Sequence, residues 1–173
     1  MKWLQSMLRR LRGKRDLTQH WVQRPGVSGL LDLDAGSLDG ISLGANINGL
    51  SHLGAGASTP DGATLYFPYH GIWIEQESGR LVSIRVAIET TAPGTRSDSF
   101  LGGVRWRGRT VRASDLRTVS DVEAIGGSAS ASDCDRDETV LTYVAGSHVI
   151  EFEINHAGIG SMITVSMRHR EQG

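Results

Sequence analysis

Three aspartates at alternate positions, Asp133, Asp135 and Asp137, come closest in this chain to a cation-binding loop, whose first ligands alternate in this way. The pattern breaks directly after them. The sixth position should be glycine and is Glu138, and the twelfth should be a bidentate glutamate and is Val144. Asp32 and Asp34 ahead of Gly36 fit less well, with Leu43 in the twelfth place. The histidines, His20, His52, His70, His148, His156 and His169, nowhere form H-x-x-x-H or stand beside a second ligand at metal spacing. Ser51–His52 and Ser147–His148 place a hydroxyl next to an imidazole. Adjacent residues of a strand point to opposite faces, however, and neither serine sits in G-x-S-x-G. Gly54-Ala55-Gly56 lacks the third glycine of a dinucleotide fingerprint, and no Gly-Lys-Ser/Thr exists. Cys134 is the sole cysteine and so has no partner for a disulfide or a thiolate cluster. These residues predict no metal, no cofactor and no catalytic motif. An enzyme with a site assembled from distant residues is the remaining catalytic alternative.

Two stretches are better suited to binding. In Val104-Arg105-Trp106-Arg107-Gly108-Arg109, an extended chain projects Arg105, Arg107 and Arg109 from one face and Val104, Trp106 and Gly108 from the other. Such a row of guanidinium groups meets carboxylates or phosphates bidentately; the alternative is an edge strand whose charges discourage aggregation. In Gly71-Ile72-Trp73-Ile74-Glu75, period 2 gives Ile72 and Ile74 to the core and leaves Trp73 on the opposite face, at least partly exposed. Tyr66 and Tyr69 lie one strand away and Arg85 projects from the polar side of the next run, so Trp73, Tyr66, Tyr69 and Arg85 form an aromatic and arginine cluster of the kind that anchors interfaces. The alternative is that Trp73 covers a seam in the fold.

The elements that position these residues follow from charge and periodicity. Net charge is −1, but residues 1–25 carry Lys2, Arg9, Arg10, Arg12, Lys14, Arg15 and Arg24 against Asp16 alone, a head of +6 on a body of −7. Trp3, Leu4, Met7, Leu8 and Leu11 recur at helical spacing, so Met1–Leu11 is predicted to be an amphipathic helix ended by Gly13. Packing on the body, contact with a membrane surface through Trp3, Leu4, Arg9, Arg10 and Arg12, and a nucleic-acid arm are the three uses of such a helix; nucleic acid is the least expected. Arg24-Pro25-Gly26 marks the boundary to a body spanning 26–173. No run approaches the ~18 apolar residues that cross a bilayer, and no secretory apolar region follows Met1, which predicts a cytoplasmic protein.

Within the body, glycines punctuate short apolar runs. Ile47, Leu50 and Leu53 ahead of Gly54, and Val119, Val122 and Ile125 ahead of Gly126, predict two short helices, the second capped by Thr118 or Ser120. Each is followed by three strand-like runs: Leu65–Tyr69, Gly71–Glu75 and Leu81–Glu89, then Thr139–Val144, His148–Ile154 and Ser161–Met167, with Gly79 and Gly158 in the turn before each last run. In the last runs Val82, Ile84, Val86 and Ile88 share one face, and Ile163, Val165 and Met167 correspond to the last three of them. The expected fold is α+β: a tandem duplication, residues 39–89 and 110–167, of a helix plus three-stranded antiparallel sheet, with the helices on one sheet face. The order of helix, Leu53-Gly54 or Ile125-Gly126 stop, loop and three strands resembles the unit of the SmpA/OmlA lipoproteins, and its duplication is similar to the β-lactamase inhibitor proteins. That resemblance implies a sheet face that binds another protein. The expected function is a non-enzymatic protein-binding module of inhibitor or immunity type; the alternative is a peripheral membrane protein tethered by its basic helix.

Overall fold

The computed structural model describes residues 18–22, 29–67, 70–88, 99–156 and 161–168. The predicted helix Met1–Leu11, Tyr69 and Gly158 lie outside the described residues. Those described form thirteen strands: β1 Leu30–Asp32, β2 Ser37–Leu38, β3 Ile41–Ser42, β4 Ala57–Ser58, β5 Thr64–Phe67, β6 Ile72–Glu77, β7 Arg80–Ala87, β8 Gly103–Trp106, β9 Arg109–Arg112, β10 Ala131–Cys134, β11 Glu138–Ala145, β12 His148–Asn155 and β13 Met162–Met167. They are joined by 3-10 helices at Ile47–Leu53 and Ala113–Asp115 and by one α-helix, α1, Val119–Gly126.

The expected α+β duplication is overturned. Strands take 48% of the described residues and helices 15%, in one sheet of five strands and one of eight. The larger sheet runs β10-β11-β12-β13-β7-β6-β5-β4, antiparallel throughout. Each half supplies four strands rather than three, and the halves do not stand as separate units. β7 pairs with β13, matching Ile84 with Val165 and Val86 with Ile163. The smaller sheet runs β3-β2-β1-β8-β9, with β1 and β8 parallel. Its strands of two to four residues are too short to show a period.

Local chemistry explains the helices. Ile47, Leu50 and Leu53 are buried together because residues three apart eclipse in a 3-10 helix. In α1 the same spacing drifts round the axis, so Val122 is fully buried while Val119 and Ile125 are half-buried. Thr118 caps α1 reciprocally: its Oγ1 accepts from the Asp121 amide at 3.2 Å, and the Asp121 carboxylate accepts from the Thr118 amide at 3.0 Å. The helix stop is Gly127, at φ 67°, and not Gly126, which is the last helical residue. A bulge between β6 and β7 shifts one face: Leu81 rather than Val82 enters the core, ahead of Ile84 and Val86.

One core spans both sheets. Leu31, Leu33, Val104 and Trp106 of the small sheet's strands and flanks join Ile74, Ile84, Ile150, Phe152 and Val165 of the large one. Trp106 sits with its ring centroid 4.8 Å from Tyr143 and 5.0 Å from Phe152. His148 is buried and its Nε2 donates to the Leu33 carbonyl at 2.8 Å, tying β12 to the end of β1. Gly126 brings α1 onto the Trp106 ring, which occupies the space a side chain would need. Gly126→Ala is therefore expected to destabilise the fold by about 1–3 kcal/mol in denaturant unfolding, as overpacking does. Unchanged stability would contradict this helix-on-indole contact.

Candidate functional site

The face of the eight-stranded sheet turned away from the core is assembled by strand register. Ile72 and Ile74 are fully buried, so Trp73 lies on the opposite side of β6, where it is half-buried. Pairing then aligns Tyr66, Trp73, Arg85, Thr164, Glu151 and Thr142 across six strands, in one row. The Tyr66 and Trp73 rings stack, with centroids 4.7 Å apart and planes at 20°. Arg85 Nε donates to Thr164 Oγ1 at 3.2 Å, across the β7–β13 junction, and its Nη2 approaches Glu153 at 4.0 Å. Burial pushes the Glu153 carboxyl above its ordinary pKa; Arg85 opposes this, while Glu138 and Glu151 add to it.

Along the middle of this face the side chains are short. Ser83, Thr164 and Ser166 lie between Trp73 and Glu75 on one flank and Val149, Glu151 and Glu153 on the other. Ser83 and Thr164 are only 6% and 4% exposed, so larger side chains beside them cover the middle of this face. Its chemistry is an aromatic wall, one arginine engaged by a threonine and a glutamate, and a carboxylate-rich opposite wall.

Of the residues singled out from sequence, the structure brings together Trp73, Tyr66 and Arg85. The other group is dispersed. Trp106 is 3% exposed and belongs to the core, which removes it from any binding surface. Arg105, Arg107 and Arg109 form no row, because Arg107 and Gly108, at φ 47° and 72°, make a two-residue reversal between β8 and β9. Asp34 receives the amides of that turn at 2.8 and 3.1 Å, and Arg105 meets Asp32 at 3.4 Å. The β1 hairpin of the same chain thus supplies a carboxylate to the Arg105 side chain and another to the backbone of the turn. Arg107 lies beside Gly127 at the C-terminal end of α1, where a cation is favoured. Sequence reasoning missed Glu151, Glu153 and Thr164. The signal was present for the first two, since Ile150, Phe152 and Ile154 alternate with them in β12.

Several other polar residues hold turns and contacts. Asp135 Oδ1 accepts the amides of Asp137 and Glu138 at 2.7 and 2.8 Å, and those two bonds hold its pKa below the ordinary value. It closes the β10–β11 turn. Among the described residues no group of three or more His, Cys, Asp or Glu is placed to hold a metal ion. His52 donates to Asp39 at 2.7 Å, and Asp39 also accepts the Leu30 amide at 2.7 Å, tying a turn to the 3-10 helix. Tyr143 donates to the Gly127 carbonyl at 2.9 Å, and burial raises its pKa. The exposed Cys134 receives the Thr139 hydroxyl at 3.4 Å, and Thr139 is in turn 2.8 Å from His156 Nε2. Among the described residues no helix is long and apolar enough to cross a membrane. Comparison with family models, curated proteins and solved structures gives no match.

Glu153 gives this face a pH signature. A carboxyl whose folded pKa is raised opposes folding when ionised, and that opposition disappears as pH falls through the folded pKa towards the unfolded one. Glu153→Gln is therefore expected to melt at or above the wild-type temperature at neutral pH, with the gap closing as pH falls into the ordinary glutamate range. A variant that melts lower at neutral pH would show that Glu153 is stabilising when charged.

Proposed function

We propose that this chain is a non-enzymatic protein-binding module, of inhibitor or immunity type, whose binding surface is the open face of the eight-stranded sheet. The observation that carries this is the row of Tyr66, Trp73, Arg85 and Glu151 across strands from both halves of the chain. Tryptophan, tyrosine and arginine are the side chains that dominate binding energy at interfaces, and here they are rigid: Trp73 is stacked and Arg85 is held by Thr164. The carboxylates at the other end of the row favour a partner that presents basic groups beside an apolar anchor. The engagement of His148 with Leu33 and of His52 with Asp39 supports a structural rather than a catalytic role for both imidazoles. The single exposed thiol is consistent with a reducing, cytoplasmic setting.

The test compares Trp73→Ala with Arg109→Ala, the latter on the small sheet and outside the proposed surface. Trp73→Ala is expected to weaken partner binding by about 2 kcal/mol or more, roughly thirtyfold, while costing the fold at most about 1 kcal/mol for the lost cross-strand pair. Arg109→Ala is expected to leave binding intact. Equal binding by both variants, or a Trp73→Ala protein whose binding loss is matched by a collapse in melting temperature, would contradict the assignment.

A further inference from the structure

We propose that the open edge of β10 binds an extended segment of a protein partner as an added strand, one that carries a basic residue at every second position. This rests on the chain being a protein-binding module and names how the partner's main chain attaches.

The backbone sets the site. β10 is the last strand of the large sheet and pairs only with β11, and all four of its residues, Ala131–Cys134, are exposed. In an antiparallel pair, residues that exchange hydrogen bonds alternate with residues whose N–H and C=O point outward. The Asp135 amide donates to the Glu138 carbonyl at 3.0 Å, one step beyond the pairing of Cys134 with Thr139. Counting back from that bond, Ala131 and Asp133 bond towards β11, and Ser132 and Cys134 turn their backbone groups away from it. Among the described residues nothing pairs with those outward groups. The other sheet edges are less open. β3 and β4 have two residues each, and in β9 the Arg112 amide is taken by the Asp115 carboxylate at 3.1 Å. An open, regular edge is a template for strand addition, in which main-chain bonds hold the peptide and alternate side chains select it.

Charge selects a basic strand. Asp133 pairs with Val140 and through it lines up with Glu153; Ala131 pairs with Thr142 and through it lines up with Glu151. With Glu138, two residues before Val140 on the same face, these carboxylates make the β10 margin of the open face acidic. Burial raises the Glu153 pKa; Arg85 opposes this, and Glu138 and Glu151 add to it, so the carboxylates repel one another. An added strand sets every second side chain on this face beside Asp133, where a lysine or arginine meets the opposite charge across the ladder. The intervening side chains fall beside Ser132 and Cys134, whose small size suits β-branched neighbours. The same charge disfavours a second copy of this chain. Two copies joined through β10 with Ser132 against Cys134 would set Asp133 against Asp133, like charges directly opposed.

The experiment follows backbone amide resonances of the full chain during titration with an end-blocked hexapeptide of alternating lysine and valine, and with its glutamate–valine counterpart. The proteins are wild type, Ser132→Pro and Asp133→Lys. Proline at 132 deletes an outward N–H without removing a bond to β11, an orientation in which edge strands tolerate it. The lysine peptide is expected to shift the Ser132 and Cys134 amides of wild type. Ser132→Pro is expected to weaken its binding at least about tenfold, through the lost hydrogen bond and the ring's bulk at the edge. Asp133→Lys is expected to weaken it at least about threefold and to bind the glutamate peptide better than wild type does. As an exposed substitution, Asp133→Lys keeps the test decisive if Ser132→Pro does not fold.

No shift at Ser132 and Cys134 overturns the proposal, as does equal binding of the two peptides or wild-type binding by Ser132→Pro. Shifts at these amides that grow with protein concentration in the absence of peptide also overturn it, in favour of a second copy. A partner weakened by Trp73→Ala and indifferent to Ser132→Pro fails only the added strand. A partner weakened by Ser132→Pro and indifferent to Trp73→Ala supports the added strand and fails only the assignment of the aromatic row.

Discussion

The continuity of the large sheet, and the outward row on it, depend on the pairing of β7 with β13. Ile84 meets Val165 and Val86 meets Ile163, all four fully buried, and these contacts join two four-stranded meanders from opposite halves of the chain. Nothing local enforces that pairing. It follows from two alternating apolar strands, each with one face that only the shared core can cover. Once made, it fixes which side chains turn outward, and it brings Arg85 and Thr164 into hydrogen-bonding distance. The outward row therefore exists only because the sheet is continuous.

The small sheet covers the core and engages Arg105 and the turn that follows it. Asp32 and Asp34 sit in the β1 hairpin opposite the β8–β9 hairpin with its arginines, and the parallel pairing of β1 with β8 sets the one against the other. The Trp106 ring reaches through to Tyr143 and Phe152, and Gly126 lets α1 close over it. Asp32, Asp34 and Arg105 on this side are engaged in architecture. The opposite face of the large sheet carries aromatic, cationic and carboxylate groups beside short side chains.

Much of the large sheet was legible, because its long strands carry period 2. His148–Asn155 alternates without a break, and Trp73 between two isoleucines could face only one way. The i, i+3 spacing located both helices but not their type: eclipsed burial of Ile47, Leu50 and Leu53 belongs to a 3-10 helix. What was illegible has physical causes too. Strands of two residues, such as β2, β3 and β4, have no period to detect, so the fourth strand of the first meander and most of the second sheet were hidden. Arg105 to Arg109 alternates as a strand would, yet positive φ at Arg107 and Gly108 turns it back on itself. Trp106 was assigned to a surface because its burial comes from residues distant in sequence, Tyr143 and Phe152. The pairing of β7 with β13 leaves no local trace at all, and the row across it could not be assembled without it.

The central claim is that the two meanders form one cooperative sheet presenting one continuous face. Equilibrium urea unfolding of the full chain, followed by resolved amide resonances in β5–β6 and in β11–β12, tests it most directly. A single sheet welded at Ile84–Val165 and Val86–Ile163 predicts coincident transitions at both sets of probes, with the same midpoint and the same slope. Two separated transitions, with one meander retaining its native resonances after the other has melted, would show independent modules and would contradict the account of a surface shared between them.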